Sequence, residues 1–244
     1  MHATQPRTQQ DNMRKIMNKT PCPVVFDLDG TLIDSAPDIH ACVNAVLAAH
    51  RIAPLSLDRI RSFIGGGVPL LWSRIIDACG IDPVHRRTLV SGFMTRYHDA
   101  TMLTRLYPNV PEALSVLANA GHPLGICTNK PLAPTLHILK HFGLSNCFNS
   151  VIAGDSLPQR KPDPAPLQAA FAALAPGEVK PYGLFVGDSE FDADCAANMA
   201  APFLLFTRGY RQTPVSQLTW AAHFDDFATL PDLVAEAGLS EAMP

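Results

Sequence analysis

Apolar positions fall into two rhythms along this chain. Val24-Val25-Phe26 is a short continuous run that breaks off at Asp27-Leu28-Asp29-Gly30-Thr31-Leu32. Runs of similar length recur at residues 123–127, 151–153, 183–187 and 202–206. Continuous apolar runs of this length suit strands buried on both faces, as in parallel sheets. Between them apolar residues return at helical spacing, with Pro111 and Pro166 near helix starts and Gly121 and Gly143 at helix ends. Strand and helix in alternation predict an α/β fold with a parallel-sheet, Rossmann-like core.

Between the first run and residue 104 the period is helical throughout. Ser35 followed by Asp38 has the pattern of a capping box, and Ile39, Val43, Val46 and Leu47 continue as one face of a helix ending near residue 50. A second helix is predicted over 68–79, between Gly65-Gly66-Gly67 and Gly80, and a third over about 83–99. An all-helical block inserted after the first strand reads as a cap domain over 37–104, with linkers near 35–38 and 103–108. The core is then 21–36 plus 105–244. Residues 1–20 are polar, include alternative starts at Met13 and Met17, and predict a disordered tail.

Composition narrows the function. The 244 residues are 47% hydrophobic, enough for a buried core with a smaller insert. Nineteen basic against 22 acidic residues give a net charge of -3, which argues against nucleic acid as a partner but leaves room for a small anion bound by local positive charge. Six cysteines (Cys22, Cys42, Cys79, Cys127, Cys147, Cys195) lack metal or redox spacing and read as reduced core residues of a cytoplasmic protein. No apolar run reaches the roughly 18 residues of a membrane span, and the N-terminus lacks the apolar centre of a signal peptide.

Candidate chemistry sits where the runs break. Asp27 and Asp29 stand at the end of the first run, where open parallel sheets place their ligand crevice. Two carboxylates so close repel unless a cation lies between them, and a hard ion such as Mg²⁺ suits oxygen ligands. Thr128 and Asn129 follow the run at 123–127, where a hydroxyl and free amides can hold a phosphate oxygen. Lys161 lies in a proline-stiffened turn, Gln159-Arg160-Lys161-Pro162-Asp163-Pro164, and Asp188 ends the run at 183–187 with Asp192 four residues on. Singly, each has an ordinary alternative: a turn, a helix cap, a solvated lysine, helix-start acids.

Together, the segments around Asp27, Thr128, Lys161 and Asp188 resemble the motif set of the haloacid dehalogenase superfamily, in particular its phosphatases with an aspartate nucleophile. The resemblance runs from residue 23 to about 231 and is nearest to the bacterial phosphoglycolate phosphatases. It implies Asp27 as nucleophile, Asp29 as acid and base, and Thr128, Asn129 and Lys161 as phosphate ligands. It also implies Mg²⁺ held by the Asp27 carboxylate, the Asp29 carbonyl and Asp188, with Asp192 supporting Lys161 or metal-bound water. Gly65-Gly66-Gly67 is either a flexible connector or a cap loop whose amides take the substrate's carboxylate. The implied reaction is Mg²⁺-dependent hydrolysis of 2-phosphoglycolate through an aspartyl phosphate, in a monomer or homodimer. Alternatives are a phosphatase of another small phosphorylated metabolite, a hexose phosphomutase, or a non-enzymatic phospho-ligand-binding module. Glu190, Phe191 and Ala200-Ala201 depart from the family pattern.

Overall fold

The apolar run at residue 24 becomes β1 (Val24–Phe26), whose three side chains are all buried. In the computed structural model, which describes residues 21–177 and 182–237, β1 lies inside a six-stranded parallel sheet. The expected tail at 1–20 lies outside the described residues. After β1 come β2 (Ile33–Asp34), α1 (Ala36–Ala49), α2 (Leu57–Arg61), α3 (Gly67–Cys79), a 3-10 turn (Pro83–His85), α4 (Arg86–Tyr97) and β3 (Arg105–Leu106). The second half runs α5 (Val110–Asn119), β4 (Leu124–Cys127), α6 (Leu132–His141), β5 (Ser150–Ile152), α7 (Ala165–Leu174), β6 (Leu184–Gly187) and α8 (Glu190–Met199). It closes with β7 (Phe203–Phe206), β8 (Ala222–Phe224) and α9 (Leu230–Ala237).

The sheet order is β5-β4-β1-β6-β7-β8. Side chains alternate across it, as the two-residue period of a strand requires. Val24, Phe26, Ile126 and Val186 face Leu114, Ile138 and Val234 of α5, α6 and α9. Val25, Cys127, Phe185 and Leu205 face Leu167, Phe171 and Ala193 of α7 and α8. The chain builds β4 and β5 on one side of β1, then crosses to β6, β7 and β8 on the other, so direction switches at β1. Such a switch opens a crevice at the carboxyl ends of the strands.

Helices α1 to α4 enclose a separate apolar cluster that includes Val43, Leu47, Ile60, Trp72, Ile75 and Phe93. Trp72 is fully buried and meets Phe93 edge-on, with ring centroids 5.8 Å apart. Truncating such a side chain costs about 3–5 kcal/mol. The linkers to this cluster pair as a two-residue antiparallel ladder, β2 with β3.

The expected capping box at Ser35 does not form, because tertiary partners take both side chains. Ser35 Oγ donates to Asp29 Oδ1 at 2.6 Å. Asp38 Oδ2 accepts from Leu103 N (3.0 Å), Thr104 N (2.7 Å) and Thr104 Oγ1 (2.7 Å), and so ties the outgoing linker to the returning one. The start of α1 is capped instead by the Tyr210 phenol, which accepts from Ser35 N (2.7 Å) and Ala36 N (3.0 Å). Four elements lacked a legible pattern: α2 is five residues long, β2 and β3 are two each, and β8 is an edge strand with only Phe224 buried. Among the described residues no helix is long and apolar enough to cross a membrane.

Candidate active site

Asp27, Thr128 and Asp188 directly follow β1, β4 and β6, which are neighbours in the sheet. All three are buried, at 6%, 3% and 1% exposure. The backbone keeps them there: Asp27 N donates to Val186 O (2.9 Å) and Thr128 N to Ile152 O (3.0 Å).

Lys161 reaches the same point from the turn between β5 and α7. Its Nζ lies 2.6 Å from Asp192 Oδ1, 2.8 Å from Cys127 O and 2.9 Å from Asp27 Oδ1. Burial alone would pull this ammonium down, but Asp192 and Asp27 more than reverse that and hold it well above its ordinary value. Asn129 fixes the lysine's backbone: its Oδ1 accepts from Lys161 N (3.0 Å) and its Nδ2 donates to Lys161 O (3.0 Å). The other Nδ2 hydrogen goes to Gly65 O at 2.9 Å. Both side-chain donors of Asn129 are therefore committed, and what it can offer a phosphate is its backbone N–H.

The carboxylates suit a hard cation. Oxygens of Asp27, Asp188 and Asp192 lie within 4.8 Å of one another. Asp192 is already spent, with Oδ1 on Lys161 and Oδ2 accepting from Ser189 N (3.0 Å), Ser189 Oγ (2.6 Å) and Asp188 N (3.2 Å). The open donors belong to Asp27 and Asp188. The ammonium beside Asp27 Oδ1 is out of line for a hydrogen bond, so this buried oxygen has no hydrogen-bond partner. Asp188 is aimed by Thr31 Oγ1 (2.7 Å) and Tyr210 N (2.6 Å). Glycine lets the chain close on it: a Cβ on Gly30, at φ +89°, would lie 2.5 Å from Asp188 Oδ2.

Three carboxylates against one ammonium leave an excess of negative charge in a buried site, which a divalent cation would balance. Burial lifts Asp27 to about 6 despite the pull of Lys161. Burial, then repulsion from Asp192 and Asp27, lifts Asp188 well above the usual carboxylate range. A cation bound between them would reverse both shifts.

Asp29 faces the helical cap instead. Its Oδ1 accepts from Ser35 Oγ and, at 3.1 Å, from Lys130 Nζ, which also lies 3.3 Å from Oδ2. Lys130 Nζ donates in addition to the phenol of Tyr97, the last residue of α4, and lies 4.3 Å from that ring's centroid. Sequence reasoning missed Ser35, Lys130, Tyr97 and Tyr210 as site residues. Only Lys130 carried a signal, its place directly after Thr128-Asn129.

The glycine loop brings the cap onto the core. Gly65 and Gly67 take φ of +118° and +78°. These let the backbone press so close that a Cβ on Gly65 would lie 2.8 Å from the Phe191 ring and one on Gly67 2.9 Å from Asn129 O. Phe191, one of the departures from the family pattern, is thus a floor under the cap loop. Glu190, another, accepts from Gln212 N at 3.2 Å. Between the loop and the strand ends lies a partly open cavity of about 40 Å³, room for roughly three waters. Asp27, Asp29 and Thr128 line its core side; Val68, Leu71 and Phe93 line its cap side.

Comparison with known proteins agrees with this architecture. The model of the haloacid dehalogenase-like hydrolase family matches residues 24–206. A phosphoglycolate phosphatase of Cereibacter sphaeroides is 49% identical over 214 residues, covering 86% of this chain and 96% of that protein. One from Rhodobacter capsulatus is 45% identical over 213 residues, with 86% and 95% covered. The crystal structure of a predicted phosphoglycolate phosphatase from Haemophilus somnus superposes with a TM-score of 0.79 at 30% identity, covering 87% of this chain and 97% of that one. With the family's model matched over most of the sheet and the aspartates at its strand ends, this chain belongs to the haloacid dehalogenase-like hydrolases.

Proposed function

We propose that this enzyme is a Mg²⁺-dependent phosphatase that hydrolyses 2-phosphoglycolate to glycolate and phosphate through a phosphorylated Asp27. The observation that carries the mechanism is Asp27 itself: a buried carboxylate with one oxygen lacking a hydrogen-bond partner, flanked by Lys161 and Asp188, on the wall of the cavity. The substrate assignment comes from the relatives named phosphoglycolate phosphatase.

In the first half-reaction an Asp27 oxygen attacks phosphorus while the bond to the leaving oxygen breaks, and Asp29 gives that oxygen a proton. In the second, Asp29 takes a proton from water, which attacks phosphorus; the phosphorus–Asp27 bond breaks and phosphate leaves. The Asp27 and Asp188 carboxylates and the Asp29 carbonyl would hold Mg²⁺, which when bound would supply positive charge against the repulsion between nucleophile and phosphoryl group. Lys161 supplies fixed positive charge on the other side of Asp27. Thr128 Oγ1 accepts from Lys130 N at 3.2 Å, which leaves the hydroxyl hydrogen for a phosphate oxygen. Asp192 acts at one remove, through Lys161.

Residues 37–104 act as a cap that opens for exchange and closes for chemistry. The reaction belongs in the cytoplasm, and the enzyme acts on a small phosphorylated metabolite as a monomer or homodimer. A substrate screen tests the reading. With Mg²⁺, kcat/KM for 2-phosphoglycolate should exceed that for glucose 6-phosphate, ethyl phosphate and p-nitrophenyl phosphate by at least about tenfold, and Asp27→Asn should abolish turnover on all four. Preference for the sugar phosphate, or turnover by Asp27→Asn, would overturn it.

A further inference from the structure

The catalytic cavity has a division of charge that the phosphoryl chemistry leaves unused. Lys161 spends its ammonium on Asp192, Cys127 O and Asp27. Among the described residues, the one cationic side chain that lines the cavity is Lys130. It stands 3.1 Å from the proton-donating Asp29 and opposite an apolar wall of Ile39, Ile64, Val68, Leu71 and Phe93. Asp29 must reach the leaving oxygen, so whatever hangs one or two bonds beyond that oxygen comes to Lys130. The apolar wall offers a charged substituent nothing else.

We propose that Lys130, joined by the Tyr97 phenol, is the subsite for a carboxylate on the leaving group. This rests on the phosphoglycolate reading above and names the residues that enforce it. The alternative role for Lys130 is to balance Asp29 and no more. The geometry allows Lys130 to reach a bound carboxylate as well. The residue is 5% exposed, and the partners of its ammonium come from both sides of the cavity, Asp29 from the core and Tyr97 from the helical block. Tyr97 reaches it from the end of α4, so binding of the carboxylate and seating of the cap use the same contact. The Gly65-Gly66-Gly67 loop is then the closing element, its Gly65 carbonyl held by Asn129, rather than the carboxylate cradle.

The test compares 2-phosphoglycolate with ethyl phosphate, which keeps the phosphoryl group, leaving oxygen and first carbon and replaces the carboxylate by a methyl. Lys130→Met should lower the ratio of the two kcat/KM values by roughly tenfold or more, the size of a lost charge-assisted contact, with the loss on 2-phosphoglycolate mainly in KM. Lys130→Arg should restore part of the ratio. Tyr97→Phe keeps the ring stacked on Phe93 and should lower the ratio by about threefold, which keeps the question answerable if Lys130→Met does not fold. Equal losses on both substrates in a wild type that prefers 2-phosphoglycolate would overturn the subsite and leave the phosphatase assignment standing. A wild type with no preference would overturn the phosphoglycolate reading and this subsite with it.

Discussion

The two walls of the cavity are built on opposite principles. The core wall is a closed set of charges: Lys161 meets three oxygens, Asp192 has both of its own committed, and Asp188 is held by Thr31 and Tyr210. The cap wall is apolar, Val68, Leu71 and Phe93, and its polar reach into the site is the Tyr97 phenol. A wall of buried charges in fixed directions can treat every phosphomonoester alike. A wall of shape with one polar contact can tell them apart. Chemistry and selection are therefore separable here, and damage to each wall should look different.

The sharpest break is Lys161→Met. It leaves Asp27 and Asp192 buried against each other without their cation. Removing one partner of a buried pair costs about 3–5 kcal/mol, so urea denaturation should show a loss of that order, together with at least a 100-fold drop in kcat on every substrate. A stable, active Lys161→Met protein would mean the core wall is not a closed charge set.

The next effect concerns the excess negative charge. In the metal-free protein Asp27 titrates at about 6, above its ordinary 3.8, and Asp188 is raised as well. On Asp27 the folded state therefore holds a proton that the unfolded chain releases between roughly pH 4 and 6, and the stability this brings is lost as pH rises through about 6. A divalent cation bound there would take the place of that proton. Saturating Mg²⁺ should raise Tm by several degrees at pH 7.5 and by much less at pH 5. Equal shifts at both pH values would separate the metal from these carboxylates.

The smallest effect lies where the walls join. Tyr210→Phe removes the cap on α1 and the donor to Asp34 Oδ1 (2.7 Å), while its backbone N still holds Asp188. Stability should fall by about 1–2 kcal/mol and kcat/KM by a few-fold, with no change in the Mg²⁺ concentration giving half-maximal activity. A shifted Mg²⁺ requirement would show that the linker and the metal carboxylate are not independent.

The same division governed what could be read from the sequence. The strands and the residues after them were legible because a buried parallel strand is a short apolar run, and the candidate residues stand where the run stops: Asp27, Thr128 and Asp188 each follow one directly. Lys161 was legible through its proline-rich turn, and its hold on Asp192 across 31 residues was one of two roles the family resemblance implied, metal-bound water being the other. The joins were illegible. Ser35 and Asp38 match a capping box locally, yet Asp29 and the returning linker at Leu103 and Thr104 claim their side chains. The phenol that caps α1 in their place comes from 174 residues further on. Tyr97 sits in an ordinary helical pattern, and only its contact with Lys130 in the folded chain sets it apart.

The central claim is that the core wall transfers the phosphoryl group through Asp27 in two displacements. Hydrolysis of a phosphorothioate ester made chiral at phosphorus with two oxygen isotopes, in water carrying the third isotope and with Mg²⁺, tests it most directly. Two in-line displacements invert phosphorus twice, so the product thiophosphate should show retention of configuration. Inversion would mean that water attacks the substrate directly, and Asp27 would then be a metal ligand and not the nucleophile.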